Sequence, residues 1–249
     1  MMKIFNYEIK IILAKPYVLA MTVITLLYGW FLLSSETILG VSDTAPFSGW
    51  SFGKYLGDAA LMSMLASLFL VATVYSKKQK KVGILTDVTG FSARRRMLIK
   101  SIIIGGYFLL SNLLLLVLGC VFLKVYFDQV NLLAYMAEYL LVSVPCLLVI
   151  LGIGNCLGKV NPFLVYVLMA VILVLAFVAP GLFIDTNGAN YYKEMSAALE
   201  KMNGTETPFV LKTSYLLSRV AYLFIGAVAW IISLNMSEKK RKANETVTI

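Results

Sequence analysis

The chain has 249 residues, of which 60% are hydrophobic and only 14% charged, and it carries a net charge of +9. Soluble domains average about 45–50% apolar and about 25% charged residues, so an ordinary globular enzyme is excluded; so is disorder, which requires low hydrophobicity. A mean hydropathy of +0.84 alongside the basic balance points to charge distributed across a membrane rather than to a nucleic-acid footprint. Histidine is absent, which removes the commonest general base and metal ligand. Cys120, Cys146 and Cys156 sit in apolar runs without a CxxC pair. They read as buried, reduced thiols, and no metal site is expected.

The expected fold is an all-α polytopic membrane protein in one transmembrane domain, residues 1–249. Residues 2–15 place Lys3, Asn6 and Lys10 at i, i+3 and i+7, with Ile4, Phe5, Ile9, Ile11 and Ile12 over much of the rest. This pattern predicts an amphipathic helix on the inner membrane surface that turns at Pro16; the alternative is a cytoplasmic extension of the first span. A bilayer core takes about 20 apolar residues per crossing helix. Runs poor in charge place six transmembrane helices at about 16–35, 57–76, 101–123, 131–158, 162–184 and 214–236. No small-residue cleavage site follows the first, so a permanent span is expected rather than a signal peptide. Asp58 reads as a cap on the second. In the fourth, Pro145 followed by Gly152, Gly154 and Gly158 predicts a kinked helix with a small-residue face.

Residues 185–213 are too many for a simple connection. Tyr192, Met195, Leu199 and Met202 fall at helical spacing there and predict a short helix on the outer surface between spans five and six. Asn203-Gly204-Thr205 is formally a glycosylation acceptor on that side. Residues 237–249 form a basic tail. Lysine and arginine set the orientation. Lys3, Lys10 and Lys15, eight cations between 77 and 100, Lys159, and the tail's Lys239, Lys240, Arg241 and Lys242 share one face, sixteen of the 22. The positive-inside rule then puts both termini in the cytoplasm of a multi-pass protein of the inner or plasma membrane.

The segment 77–100, KKQKKVGILTDVTGFSARRRMLIK, is basic at both ends and mostly uncharged between. Attraction of anionic lipid headgroups is one role for its cations. Its centre is harder to explain that way. Ile84, Leu85 and Val88 make an apolar edge at i, i+1 and i+4 between Gly83 and Gly90, and a short cytoplasmic helix with such an edge needs something to bury it. A soluble partner protein is the economical answer.

These features resemble the permease subunit of type-2 ATP-binding-cassette (ABC) exporters of the bacterial split-subunit kind. Tyr7-Glu8-Ile9-Lys10 stands where that family has its N-terminal elbow helix. Thr86-Asp87-Val88-Thr89-Gly90-Phe91-Ser92, then Arg94-Arg95-Arg96 and Lys100, stand where it has the coupling helix between spans two and three. The pattern departs from the family at Lys77-Lys78-Gln79, where an acidic residue is common, and at Gly90, near the place of a frequent proline. The resemblance implies half of a transport pore, paired with a second copy or a sister permease, on separate nucleotide-binding subunits. Those subunits would bind ATP and Mg and take Leu85, Thr86, Asp87, Val88 and Phe91 as docking contacts, with the elbow's Lys3 and Lys10 as lesser ones. The permease itself would hold no cofactor.

Ionisable residues inside spans are costly and default to functional candidates. Glu138, about seven residues below the outer surface and so about 10 Å deep, and Arg219, at similar depth in the sixth span, are expected to form an intramembrane ion pair holding an outer gate. That pair would form within one chain or across a dimer. Separate snorkelling to the outer headgroups, or a substrate contact, are the alternatives. The nearest approach to a P-loop, Ile153–Val160, has Ile for the first glycine and Val for the hydroxyl residue, so no catalysis is expected in this chain. The function expected is export of a hydrophobic or amphipathic substrate, a peptide, drug or lipid-like compound. A self-sufficient channel or secondary carrier, or a non-transporting accessory or immunity protein, are the competing readings.

Overall fold

The computed structural model describes residues 2–37, 49–76, 79, 92–128, 133, 135–177, 185–188 and 213–247. The described residues are helical apart from short turns and caps, with no strand among them. The helices are α1 (Met2–Ile12), α2 (Pro16–Leu32), α3 (Gly49–Val74), α4 (Ala93–Phe127), α5 (Met136–Val160), α6 (Pro162–Phe177) and α7 (Thr213–Val247). Among the described residues five segments, Pro16–Ser35, Phe52–Val74, Arg94–Phe127, Met136–Val160 and Thr213–Met236, are long and apolar enough to cross a membrane. This is the signature of a multi-pass membrane protein. Pro162–Phe177 is apolar but shorter, and residues 178–184 of the expected fifth span lie outside the described residues.

Helix ends follow local chemistry. Pro16 and Pro162 open α2 and α6 at the position where a missing N–H costs nothing. Asn161 caps α6 by accepting the Phe163 N–H through Oδ1 at 3.0 Å. Ser92 caps α4 by accepting the Arg95 N–H at 3.2 Å, so 93–100, read as part of the loop, are the first turns of a 35-residue helix. That helix stops at Asp128, which adopts the left-handed conformation with φ 53°. α3 starts eight residues before the expected span. Asp58 therefore lies inside a helix and pairs with Lys54 one turn back at 3.1 Å, rather than capping. The chain after 236 continues α7 as far as Val247.

In α5, Pro145 lacks an N–H for the turn before it, and the helix widens into a π-helical turn at Ile150–Gly154. Gly154 and Gly158 share the face toward α3 and its end, as expected, while Gly152 faces α7. A Cβ on Gly152 would stand 2.3 Å from the Gly226 carbonyl oxygen of α7, on Gly154 2.9 Å from Leu68 of α3, and on Gly158 2.3 Å from the Tyr75 ring. The missing side chains let α7 and α3 pack against α5 on separate sides. α3 lies at the centre, touching α2, α4, α5 and α6. Outward faces of α2, α6 and α7 are apolar, with Leu19, Leu27, Phe163, Val174, Leu217 and Phe224 all exposed, as suits helices bathed in lipid.

Candidate functional site

Lipid tails are as apolar as leucine, so helices in a bilayer gain little from burying oil against oil; packing and interhelical hydrogen bonds hold them together. Buried polar side chains are therefore where structure and function concentrate. Among the described residues, besides the Ser63–Asn112 hydrogen bond between α3 and α4 at 3.0 Å, two layers of such side chains stand out, both touching α3. Gly57 belongs to one and Tyr75, just past the end of α3, to the other. Eighteen residues of near-continuous helix separate them by about 27 Å.

The layer at Tyr75 is made by side chains from three helices, α4, α5 and α7, and the Tyr75 turn. The Tyr75 hydroxyl donates to Asn155 Oδ1 at 3.2 Å and lies 3.2 Å from Met97 Sδ. Asn155 Nδ2 donates to the Leu151 carbonyl at 2.7 Å and reaches Ser101 Oγ at 3.4 Å. Trp230 Nε1 meets the same Ser101 oxygen at 3.4 Å. Asn155 and Ser101 are both fully buried. Lys159, read as a loop cation, is buried and donates through Nζ to the Ser233 carbonyl of α7. Beside this layer α1 is seated on α4. Glu8 is buried against the bundle and pairs with Lys100 at 3.8 Å, Ile12 is buried, and Asn6, Tyr7 and Lys10 face outward. The hydrophilic stripe of α1 is thus divided, with its carboxylate inward and its lysine outward.

The second layer is built on backbone that is not helical. Residues 185–188, Asp-Thr-Asn-Gly, insert among α3, α5 and α7. Cys146 Sγ donates to the Thr186 carbonyl at 3.0 Å, and Asn187 Nδ2 to the Gly57 carbonyl at 3.2 Å. The Tyr215 hydroxyl donates to the Gly188 carbonyl at 3.3 Å. Gly188 has φ +84°, and a Cβ there would press on Arg219 Nη1, the Tyr215 hydroxyl and Val142 at 3.3 Å each, so any other residue would be strained there. Arg219, six residues into α7 and so about 9 Å from its start, donates through Nη2 to Asp185 Oδ2 at 2.8 Å and to the Asp185 carbonyl. Its guanidinium stands over the Tyr215 and Tyr222 rings at 5.0 and 5.1 Å. Non-helical backbone at such depth is tolerated only where protein covers it, and Asp185, Asn187 and Gly188 are all buried.

The expected Glu138–Arg219 pair does not form within this chain: the carboxylate facing Arg219 belongs to Asp185. Glu138 is the third residue of a helix that begins at Met136, five residues later than expected, so it lies in the first turn rather than at depth. It is buried, and its Oε2 has no hydrogen-bond partner. Leu85, Thr86, Asp87, Val88 and Phe91 lie outside the described residues, as does the expected surface helix at 192–202. Lys3 lies on α1, and Lys10 is exposed there. Cys120 and Cys146 are buried and Cys156 half-buried, all three free. Among the described residues no three acidic or cysteine side chains gather closely enough to hold a metal. Asp185 was legible as a candidate, an acid directly after an apolar run and opening the turn-forming string Asp-Thr-Asn-Gly. Asn155 and Glu8 carried no signal beyond being polar among apolar neighbours. No protein-family model, curated protein or solved structure matches the chain.

Proposed function

We propose that this chain is the pore-forming permease subunit of an ATP-driven exporter in an inner or plasma membrane, moving a hydrophobic or amphipathic substrate outward. Separate nucleotide-binding subunits hold the ATP and Mg and grip the segment 77–92. A second copy or a sister permease completes the pore. The observation that carries this reading is the seat of α1 on the first turns of α4 through Glu8 and Lys100, immediately after that segment. A force applied to residues 77–92 enters α4 within a few residues. From Ser101 it passes through Asn155 and Trp230 to α5 and α7 and through Tyr75 to α3. A loop that only held lipid headgroups would gain nothing from so direct a connection.

The test is purification of the tagged chain from its native membranes with mild detergent. We expect a polypeptide carrying GxxxxGK[ST] to travel with it, and a Val88→Cys variant to form a disulfide with a cysteine placed in the groove of that subunit. Recovery of the chain without any P-loop protein would overturn the reading.

A further inference from the structure

Among the described charged residues Arg219 is the most deeply buried, at 1% exposed, and the least satisfied: its Nε and Nη1 have no hydrogen-bond partner. A guanidinium offers five N–H donors in a planar fork suited to two-point binding of a carboxylate. Asp185 engages only Nη2, and the reason is visible. Its Oδ1 accepts the Gly188 N–H at 2.9 Å, which leaves Oδ2 alone to face the arginine. The fork is electrically matched and geometrically half filled. Tyr215 and Tyr222 flank it with aromatic faces, and Val142 adds an aliphatic wall beside Gly188.

We propose that Arg219, Tyr215 and Tyr222 form a carboxylate-binding site that Asp185 fills in this state and that the carboxylate of the exported substrate fills in turn, displacing residues 185–188. This rests on the export reading and narrows its substrate to molecules with an apolar body and a free carboxylate, such as a peptide C-terminus. Exchange of one carboxylate for another keeps the buried guanidinium neutralised throughout, whereas a phosphate dianion would leave surplus charge in the same place. An incoming carboxylate, free of any claim from the Gly188 N–H, can engage two nitrogens where Asp185 engages one. Other ties on 185–188 include uncharged hydrogen bonds from the Cys146 thiol, a weak donor, the Asn187 amide and the Tyr215 hydroxyl, together with the one Arg219 gives the Asp185 carbonyl, which the exchange must also release.

Cys146 reports the event, because its fully buried thiol lies against the Thr186 carbonyl. The chain with Cys120→Ala and Cys156→Ala, in phosphatidylcholine nanodiscs, is labelled with N-ethylmaleimide in the presence of N-acetyl-leucyl-phenylalanine as free acid or as amide. We expect the acid to accelerate labelling of Cys146 at least ten-fold and saturably, and the amide to leave it unchanged. Asp185→Asn should lower the acid concentration needed, and Arg219→Lys, which keeps the charge and loses the fork, should raise it. Equal effects of acid and amide, or no effect of either, overturn the site. A rise produced by phosphatidylglycerol alone would assign the anion to lipid headgroups and overturn the substrate assignment. The assay needs no ATPase, so acid-dependent labelling in a chain that recruits no P-loop protein would uphold the site and overturn the exporter.

Discussion

The two buried polar layers solve the same problem differently. Around Asn155 the ties between elements are Tyr75 to Asn155, Asn155 and Trp230 to Ser101, and Lys159 to Ser233, with Asn155 also bonded to the Leu151 carbonyl of its own helix. Among the buried side-chain groups without a partner, none belongs to this layer. Around Arg219 the core of the layer is four residues of irregular chain, and two nitrogens of a buried cation go unused. A satisfied network between rigid elements gives a fixed joint, while a partly satisfied one held by a loop leaves free energy for something else to claim. By that contrast, the layer beside the seat of α1 on α4 is the one that holds its shape. The other is built to yield.

The largest effect expected comes from breaking the charged layer. Arg219→Met strands the Asp185 carboxylate in a dry site and should cost about 3–5 kcal/mol, read from denaturant titration of the detergent-solubilised chain. The double change Asp185→Leu with Arg219→Met should regain most of that loss, since no lone charge remains. Exchanging the pair, Asp185→Arg with Arg219→Asp, should recover more than Glu138→Arg with Arg219→Glu; equal recovery would restore Glu138 as the partner. Next comes the neutral layer. Asn155→Leu leaves the Tyr75 hydroxyl and Ser101 each short of a partner and should cost about 2–3 kcal/mol in the same titration. It should leave Cys146 labelling unchanged, because the two layers act apart.

A smaller effect is expected where the helices touch backbone to backbone. Gly152→Ala sets a methyl against the Gly226 carbonyl, which cannot rotate away, and should cost about 1–3 kcal/mol. Smallest is Glu8→Gln. At 3.8 Å from Lys100 the pair is long but mostly buried, and glutamine keeps a polar partner for the lysine, so a loss of about 1–2 kcal/mol is expected. The informative readout there is proteolysis of α1, which should quicken while the rest of the chain stays resistant.

Composition made the helical, membrane-spanning class plain, because long apolar runs with few charges have no other stable form. The start of α3 was less plain. Gly49-Trp-Ser-Phe-Gly-Lys is poor in hydropathy, and the Lys54–Asp58 pair that carries the helix through it is a contact one turn apart rather than an apolar signal. The fourth span misled for the opposite reason: Leu133 and Tyr135 extend the apolar run but lie in turns, and the helix starts at Met136. At the charged layer, Arg219 announced itself as an arginine in oil. Its partner Asp185 was legible only as an acid at the end of an apolar run, because the two are 34 residues apart in sequence and hydropathy does not record that contact. The division of α1, with Glu8 inward and Lys10 outward, depends on Lys100 being placed opposite by α4. A helical pattern in isolation cannot supply that.

The contrast between a joint that holds and one that yields is tested most directly by amide hydrogen exchange on the intact chain in nanodiscs, followed by mass spectrometry. We expect amides at 185–188 to exchange at least a hundred-fold faster than those at 155–159, and Asp185→Asn to widen the gap by quickening the first set alone. Equal protection of the two segments, or quickening of both by Asp185→Asn, would contradict it.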